Sequence, residues 1–389
     1  METAIDTLLI EFGGVVLGLA ITARLAHRFG LPVLPIYLLA GLAFGEGGVL
    51  ELGAATGFIE VGAEIGVILM LLMLGLEFSA HELITNVRRS TLGGLVDLVL
   101  NFTPGFVAGL LLDFDMVVAV LLGGVTYISS SGIVAKLVAD LDRVRNRETP
   151  VILSLLIVED LAMVIYLPIV TGVLFGNSAA ETIIIVAISF IAVVGILSFA
   201  YYHGDRLSEM VLSHSSEVLL LTLLGSTLII AGLAERVHVS AAVGAFLVGI
   251  ALSGKLVEQA RELLEPLRDL FAASFFVFFG LQVDPSLIPN FVLVAIAMGA
   301  ITTVTKLGTG WVAARSEGLG TQARILAGMA LVAHGEFSIV IAEIGVAREP
   351  DLGAVAATYV IFTAVVGGLL YHFGDTLSTR LTLRKTKRQ

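Results

Sequence analysis

The sequence contains no cysteine, which removes disulfides and thiolate metal ligands from consideration. No Lys or Arg precedes Arg24, while Glu2, Asp6 and Glu11 fall in that stretch. The basic start of a cleavable signal peptide is therefore missing, and the first apolar segment is expected to stay in the mature protein. Charge is scarce throughout: 14% of residues are Asp, Glu, Lys or Arg against 57% hydrophobic ones, and the mean hydropathy is +1.00. That balance excludes an ordinary soluble domain. The net charge of −11 comes mostly from acidic residues in loops and points to no nucleic-acid partner. The basic tail LRKTKRQ reads as a topology anchor rather than a lipid or nucleic-acid site.

What is present is a succession of apolar stretches, each about long enough to cross ~30 Å of hydrocarbon. The pattern predicts an all-α polytopic membrane protein of thirteen spans, at about 5–26, 31–47, 57–76, 89–112, 115–140, 149–175, 180–202, 216–235, 238–254, 266–282, 287–314, 321–347 and 353–376. Every basic residue except Arg236, Arg348 and Lys306 then falls on one side. By the positive-inside rule that side is the cytoplasm, which places the N-terminus outside and the C-terminus inside a cell inner (plasma) membrane.

The two halves of the chain resemble each other. Leu39-AGLAF-Gly45 matches Leu247-VGIAL-Ser253, and Met73-LGLEFSAHELI-Thr85 matches Phe278-FGLQVDPSLIP-Asn290 at nearly the same offset. The second and ninth spans, which carry the first match, cross in opposite directions, so the repeats are inverted, as in many secondary transporters. Repeat one covers about 5–175, a linker helix about 180–202 and repeat two about 216–376, followed by a cytoplasmic tail at 377–389. The fifth and twelfth spans carry polar clusters at corresponding places: Thr126-YISSSG-Ile133 and Ala333-HGEFS-Ile339. Both predict a broken helix whose dipole ends and free carbonyls meet an ion. The competing reading is that Ser129, Ser130, Ser131 and Gly132 only permit close helix packing.

The sixth span holds Glu159 and Asp160 side by side in an otherwise uncharged run. A carboxylate at bilayer depth costs roughly 2.5–3.5 kcal/mol, so an adjacent pair has a purpose. Such a pair titrates as a coupled unit, which suits a proton carrier, and a monovalent cation arriving at Asp160 would displace protons from it. Lys306 lies ~13 Å inside its span at 1.5 Å per residue, too deep to reach water easily. It needs a carboxylate, and Glu159, Asp160, Glu336 and Asp97 are the candidates; the competing reading is a salt bridge that only locks the core.

The acidic-pair helix, Gly75 to Glu77, the serine cluster, the Lys306 helix ending in Ala314-Arg315, and Gly335-Glu336-Phe337 together resemble the monovalent cation:proton antiporter-2 family. Within it, Tyr127-ISSSGIVAKL and Val158-EDLAMVIYLP most resemble the membrane subunits of potassium/proton exchangers. The resemblance implies the NhaA/NapA-type antiporter fold with crossed broken helices, and a homodimer. It implies a core of spans 4, 5, 6, 11, 12 and 13 that moves in elevator fashion against the rest. It assigns Asp160 as principal ion and proton carboxylate, Glu159 as its partner, Thr126 and Ser129 to Ser131 as the first break, and Lys306 as the core lysine. Glu159 departs from the Asp, Asn or Gln usual there, which leaves stoichiometry open. No cofactor is implied. Regulation is expected from a separate soluble cytoplasmic subunit, because the chain stops soon after the last span.

The resemblance favours potassium, with sodium open, since both prefer oxygen ligands. A symporter of organic anions on the same fold is the alternative. Intramembrane proteolysis fits poorly: Ser129 stands where a serine protease would need glycine, and no second Asp sits in a Gly-x-Gly-Asp context. A channel would need a pore-loop filter pattern, which is absent.

Overall fold

A computed structural model describes residues 2–28, 33–45, 56–76, 80–175, 215–236, 241–252 and 255–378, with scattered positions between 183 and 211. Among them it is all helical: α1 (Glu2–Arg28), α2 (Leu34–Phe44), α3 (Thr56–Gly75), α4 (Ala80–Leu111), α5 (Met116–Tyr127), α6 (Ser131–Asp140), α7 (Thr149–Phe175), α8 (Ser216–Arg236), α9 (Ala241–Ala251), α10 (Lys255–Gln282), α11 (Ile288–Ser316), α12 (Thr321–Ala330), α13 (Glu336–Val346) and α14 (Pro350–His372). Glu77, Ser253, the tail beyond 378 and most of the expected linker helix at 180–202 lie outside the described residues.

Eight helices among the described residues are long and apolar enough to cross a membrane, with α5 and α6 counted together as Met116–Val138. The thirteen expected spans go beyond these eight; α2, α9, α12 and α13 are short, and α10 is charged in its first half. Residues 255–265, expected as a loop, are helical and continuous with the span that follows, and Pro266 is accommodated inside the helix. The first-half pattern Leu256, Ala260, Leu264 at helical spacing is buried, which explains why the helix extends through a charged stretch.

The chain divides into two compact units. One comprises Thr56–Arg88 and Leu161–Phe275. In it α3 and α9 cross at Gly75 and Gly249, where a Cβ on Gly75 would lie 2.2 Å from the Phe246 carbonyl oxygen. Only glycine permits that approach. Arg261 of α10 closes the end of α3 by donating to the Leu76 carbonyl at 3.2 Å.

The other unit comprises Met1–Ala55, Arg89–Asp160 and Phe276–Gln389. Its centre is the broken pair α5–α6: 78% of the Met116–Val138 window is buried, against 28% for the windows in α4 and α11, whose outer faces expose Leu92, Val99, Leu293 and Val304. Those faces are apolar, as lipid contact requires. Asp115 caps α5 by accepting from the amides of Val117 (2.8 Å) and Val118 (2.9 Å). An apolar cluster of Val134, Ile152, Leu155, Leu156, Ala314, Ala327, Leu331 and Tyr371 joins α6, α7, α11, α12 and α14. Arg143 ties the α6–α7 loop to the end of α14 through Asp375 (2.6 Å) and the Tyr371 carbonyl.

Candidate functional site

The α5 helix stops at Tyr127 without a proline. Ile128 turns extended, at φ −86° and ψ 122°, and α6 restarts at Ser131. The freed backbone groups find partners elsewhere in the same unit: the Ser129 amide donates to Glu159 Oε2, and the Ser130 amide to the Ala333 carbonyl at 2.8 Å. The second break, residues 331–335, lies between α12 and α13 and packs against the first. Gly335 is required there, because a Cβ would fall 2.6 Å from Ser130 Oγ.

Each of three successive serines holds one carboxylate. Ser129 Oγ donates to Glu159 Oε1 (3.1 Å), an arrangement in which the Leu331 carbonyl is a second acceptor at 2.9 Å. Ser130 Oγ donates to Glu336 Oε2 (2.6 Å), whose Oε1 accepts from the Gly132 amide at 3.1 Å. Ser131 Oγ donates to Asp160 Oδ2 at 2.8 Å. Glu159 and Asp160 are each 1% exposed, and Glu336 is half-buried.

Lys306 completes the cluster and is wholly buried. Its ammonium meets Asp97 Oδ1 and Oδ2 at 3.1 and 3.4 Å, Glu159 Oε1 at 3.0 Å and the Tyr127 carbonyl at 2.7 Å. Three donors have three partner groups, so its hydrogen bonding is complete. Of the carboxylates expected to pair with it, Asp97 and Glu159 do so; Asp160 and Glu336 are held by the serines instead.

Two expectations change in detail. The carbonyls at the end of α5 are not open to an ion: Ser338 Oγ donates to Val125 (2.8 Å), His334 Nε2 lies 3.0 Å from that of Thr126, and Lys306 takes that of Tyr127. These side chains come from the other half of the chain and satisfy groups that a helix end otherwise leaves orphaned. The Thr126 hydroxyl has a different task. It accepts from the Gly105 amide (3.1 Å) and donates to the Asn101 carbonyl (2.8 Å), bridging the α4 ladder beside Pro104.

Several buried polar residues stand out only in three dimensions. Asn101 Nδ2 donates to Asp97 Oδ1 (2.8 Å) and Thr309 Oγ1 (3.1 Å), while its Oδ1 accepts from Thr305 Oγ1 at 2.6 Å. Tyr359 of α14 donates to Thr302 Oγ1 at 3.0 Å and faces His334 Nε2 at the same distance. The signal in sequence is spacing: Asn101 stands one turn from Asp97, and Thr302 and Thr309 flank Lys306 at helical intervals.

Three buried carboxylates stand in the site with a single buried ammonium: Asp97 and Glu159 meet Lys306, and Asp160 follows Glu159 in the chain. Fully ionised, they leave two negative charges uncompensated in a water-poor environment, which is strongly unfavourable.

The profile of the family described as sodium/hydrogen exchanger, transmembrane, matches residues 15–373. The K(+)/H(+) antiporter subunit KhtU of Bacillus subtilis is 32% identical over 94% of this chain and 93% of its own length. The ammonium/H(+) antiporter subunit AmhT of Alkalihalophilus pseudofirmus is 27% identical over 97% and 96%. In fold the chain is similar to the sodium proton antiporter MjNhaP1 of Methanocaldococcus jannaschii, with a TM-score of 0.70 at 17% identity, covering 96% of this chain and 99% of that one.

Proposed function

The chain belongs to the transmembrane sodium/hydrogen exchanger family, and on that premise we propose that it exchanges a monovalent cation for protons at Glu159 and Asp160. The observation that carries the reading is the charge deficit of the buried cluster: three carboxylates and one ammonium, all at most 1% exposed. Protons neutralise it in one state and a cation in the other, so binding of one expels the other. Asp160 is the principal carboxylate, with Ser131 orienting it. Glu159 is the partner that the cation draws away from Lys306. Ser129 and Ser130 belong to the break that faces Glu159 and Glu336.

Potassium is the favoured cation, in keeping with the K(+)/H(+) relative at 32% identity. Sodium is the alternative, and ammonium, the cation named for the second relative, is close to potassium in size. The relatives are named as subunits, which supports a soluble cytoplasmic partner; the segment Asp140 to Thr149 and the basic tail are its docking candidates.

Recurrent contacts support two inverted repeats within thirteen spans. Contacts across the paired breaks join residues separated by 202 to 213 positions. A Cβ on Gly105 of α4 would meet the Leu122 carbonyl of α5 at 2.1 Å, and one on Gly310 of α11 the Gly328 amide of α12 at 2.1 Å. Likewise Gly41 packs on Gly280, and Gly75 on Gly249. Each pair becomes the other when halves are interchanged. Such halves suit an elevator in which the core of a homodimer carries the site from side to side, with the N-terminus outside and the C-terminus cytoplasmic.

Reconstituting the purified chain in proteoliposomes and following internal pH on addition of K+, Na+ or ammonium tests this. Cation-driven proton movement that is independent of organic anions is expected. Proton movement that requires an organic anion would transfer the chain to the symporter class.

A further inference from the structure

Away from the ion site, a cavity of about 340 Å³ lies between α4, α7 and α11. Its lining includes Leu92, Pro150 and Ser316, which stand at or beside the ends of the apolar segments Leu92–Leu111, Thr149–Leu174 and Ile288–Ser316. The cavity therefore sits at the level where hydrocarbon gives way to water. Val151, Leu155 and Ala313 give it an apolar wall, and α4 approaches that wall through Gly93, whose Cβ would stand 3.2 Å from Leu155 Cδ2 and from Ala313 Cβ. Polar groups of both signs share the same space. Arg147 is the one basic residue of the lining and Glu317 the one acidic residue. The nearby Arg143 is taken by Asp375 and the Tyr371 carbonyl, whereas neither Arg147 nor Glu317 makes an ion pair among the described residues. Two hydroxyls complete the set: Ser154 Oγ donates to the Pro150 carbonyl and Ser316 Oγ to the Ala313 carbonyl, each at 2.7 Å. With their protons spent on the backbone, both serines offer only oxygen lone pairs. From Leu92 the outer face of α4 runs on through Leu95 and Val99 at helical spacing, 62%, 56% and 63% exposed, an apolar stripe that begins at the cavity itself.

We propose that this cavity binds the headgroup of a membrane phospholipid that carries both a phosphate and a primary ammonium, of the phosphatidylethanolamine class, with an acyl chain lying along the α4 stripe. Arg147 takes the phosphate, since a guanidinium offers paired N–H donors that match its oxygens. Glu317, Ser154 and Ser316 take the ammonium. A primary ammonium has three N–H donors, and the cavity supplies three acceptor groups for them. A choline headgroup has no N–H to give to those acceptors. A glycerol headgroup brings no cation to Glu317, so a purely anionic lipid leaves that carboxylate facing the phosphate. Pockets between spans at a membrane surface are suited to headgroups in general, and the mixed charge of this one narrows the class. No residue of the lining holds Glu159, Asp160 or Lys306, so the proposal stands apart from the exchange reaction.

The test is lipid binding to the purified full chain in detergent, read by native mass spectrometry during titration. The probes are phosphatidylethanolamine, phosphatidylcholine and phosphatidylglycerol with the same acyl chains, and glycerophosphoethanolamine as the water-soluble headgroup. Phosphatidylethanolamine is expected to bind about tenfold more tightly than either other lipid, the worth of one hydrogen bond to a charged group. Arg147 and Glu317 are exposed, so Arg147→Gln and Glu317→Gln leave the packing alone, and each should remove that preference. Ser316→Ala, which takes away one acceptor, should weaken it by less. Equal binding of the three lipids, tighter binding of phosphatidylglycerol, or a preference that survives both Gln variants would overturn the proposal. Glycerophosphoethanolamine binding as tightly as the lipid would overturn it too, by making the cavity a site for a soluble zwitterion.

Discussion

Ser131 Oγ donates to Asp160 Oδ2 at 2.8 Å from the first residue of a half-helix, so the acidic pair is organised by a break in another helix and not by its own. The preceding serines reach Glu159 and Glu336 in the same way. Disturbing the break should disturb Glu159, Asp160 and Glu336 together.

Asp160→Asn is expected to abolish exchange while leaving the protein folded. Removing a buried charge relieves a desolvation penalty, so the melting temperature in detergent should hold or rise. Measured flux that remains within about tenfold of wild type would mean that Asp160 is not the principal carboxylate.

Glu159→Gln removes the partner that shares Lys306 and Ser129 with the rest of the site. The variant is expected to keep transporting with a displaced pH profile, because Asp160 no longer titrates beside a second acid. A profile superimposable on wild type would leave Glu159 as a member of a structural ion pair.

Thr126 separates fold from function. Its hydroxyl repairs the α4 ladder beside Pro104, so Thr126→Val should reduce stability by about 1–3 kcal/mol through an unsatisfied buried Gly105 amide, and Thr126→Ser should restore it. Unchanged thermal stability with weakened cation affinity would instead make Thr126 an ion ligand.

Much of this was legible in the sequence, for physical reasons. An intramembrane charge is expensive enough that Glu159, Asp160 and Lys306 announce themselves, and the two polar clusters marked both helix breaks to within a few residues. Partner choice was not legible. Whether Lys306 meets Asp97 or Asp160 depends on rotations of α4 and α7 that hydropathy does not encode, and here each serine selects one acid. The capping of α5 by His334, Ser338 and Lys306 was equally hidden, because residues about 208 positions apart satisfy groups that local reading leaves open. Residues 255–265 were misread as a loop because charge on one face outweighed the buried stripe on the other.

At the N-terminus of α5, Asp115 offers a pH-dependent contribution outside the spans. Desolvation raises its pKa, but the Val118 amide, Arg348 and the Val117 amide outweigh it and hold the carboxyl below its ordinary value. A depressed folded value means stability present above the unfolded pKa and lost as pH falls through the folded one. With 40% of its side chain exposed the ionic share is small, and most of the effect is the helix cap, so Asp115→Ala should lower stability by about 1 kcal/mol at neutral pH and by less in acid. A loss that grows on acidification would contradict the assignment.

The last expectation concerns movement. On the proposed elevator reading the core presents Glu159 and Asp160 to each side in turn, so residues beside the pair should meet water from both sides but never from both at once. The absence of native cysteine makes this measurable: single cysteines at Val158 or Leu161 can be labelled from either side with no background. In membranes of known orientation, labelling from the two sides should be mutually exclusive once the protein is held in one state, and a disulfide tethering a core helix to α3 should stop exchange until it is reduced. Continued turnover with the tether closed, or one cysteine reacting from both sides in a trapped state, would replace the moving core with a fixed, gated pathway.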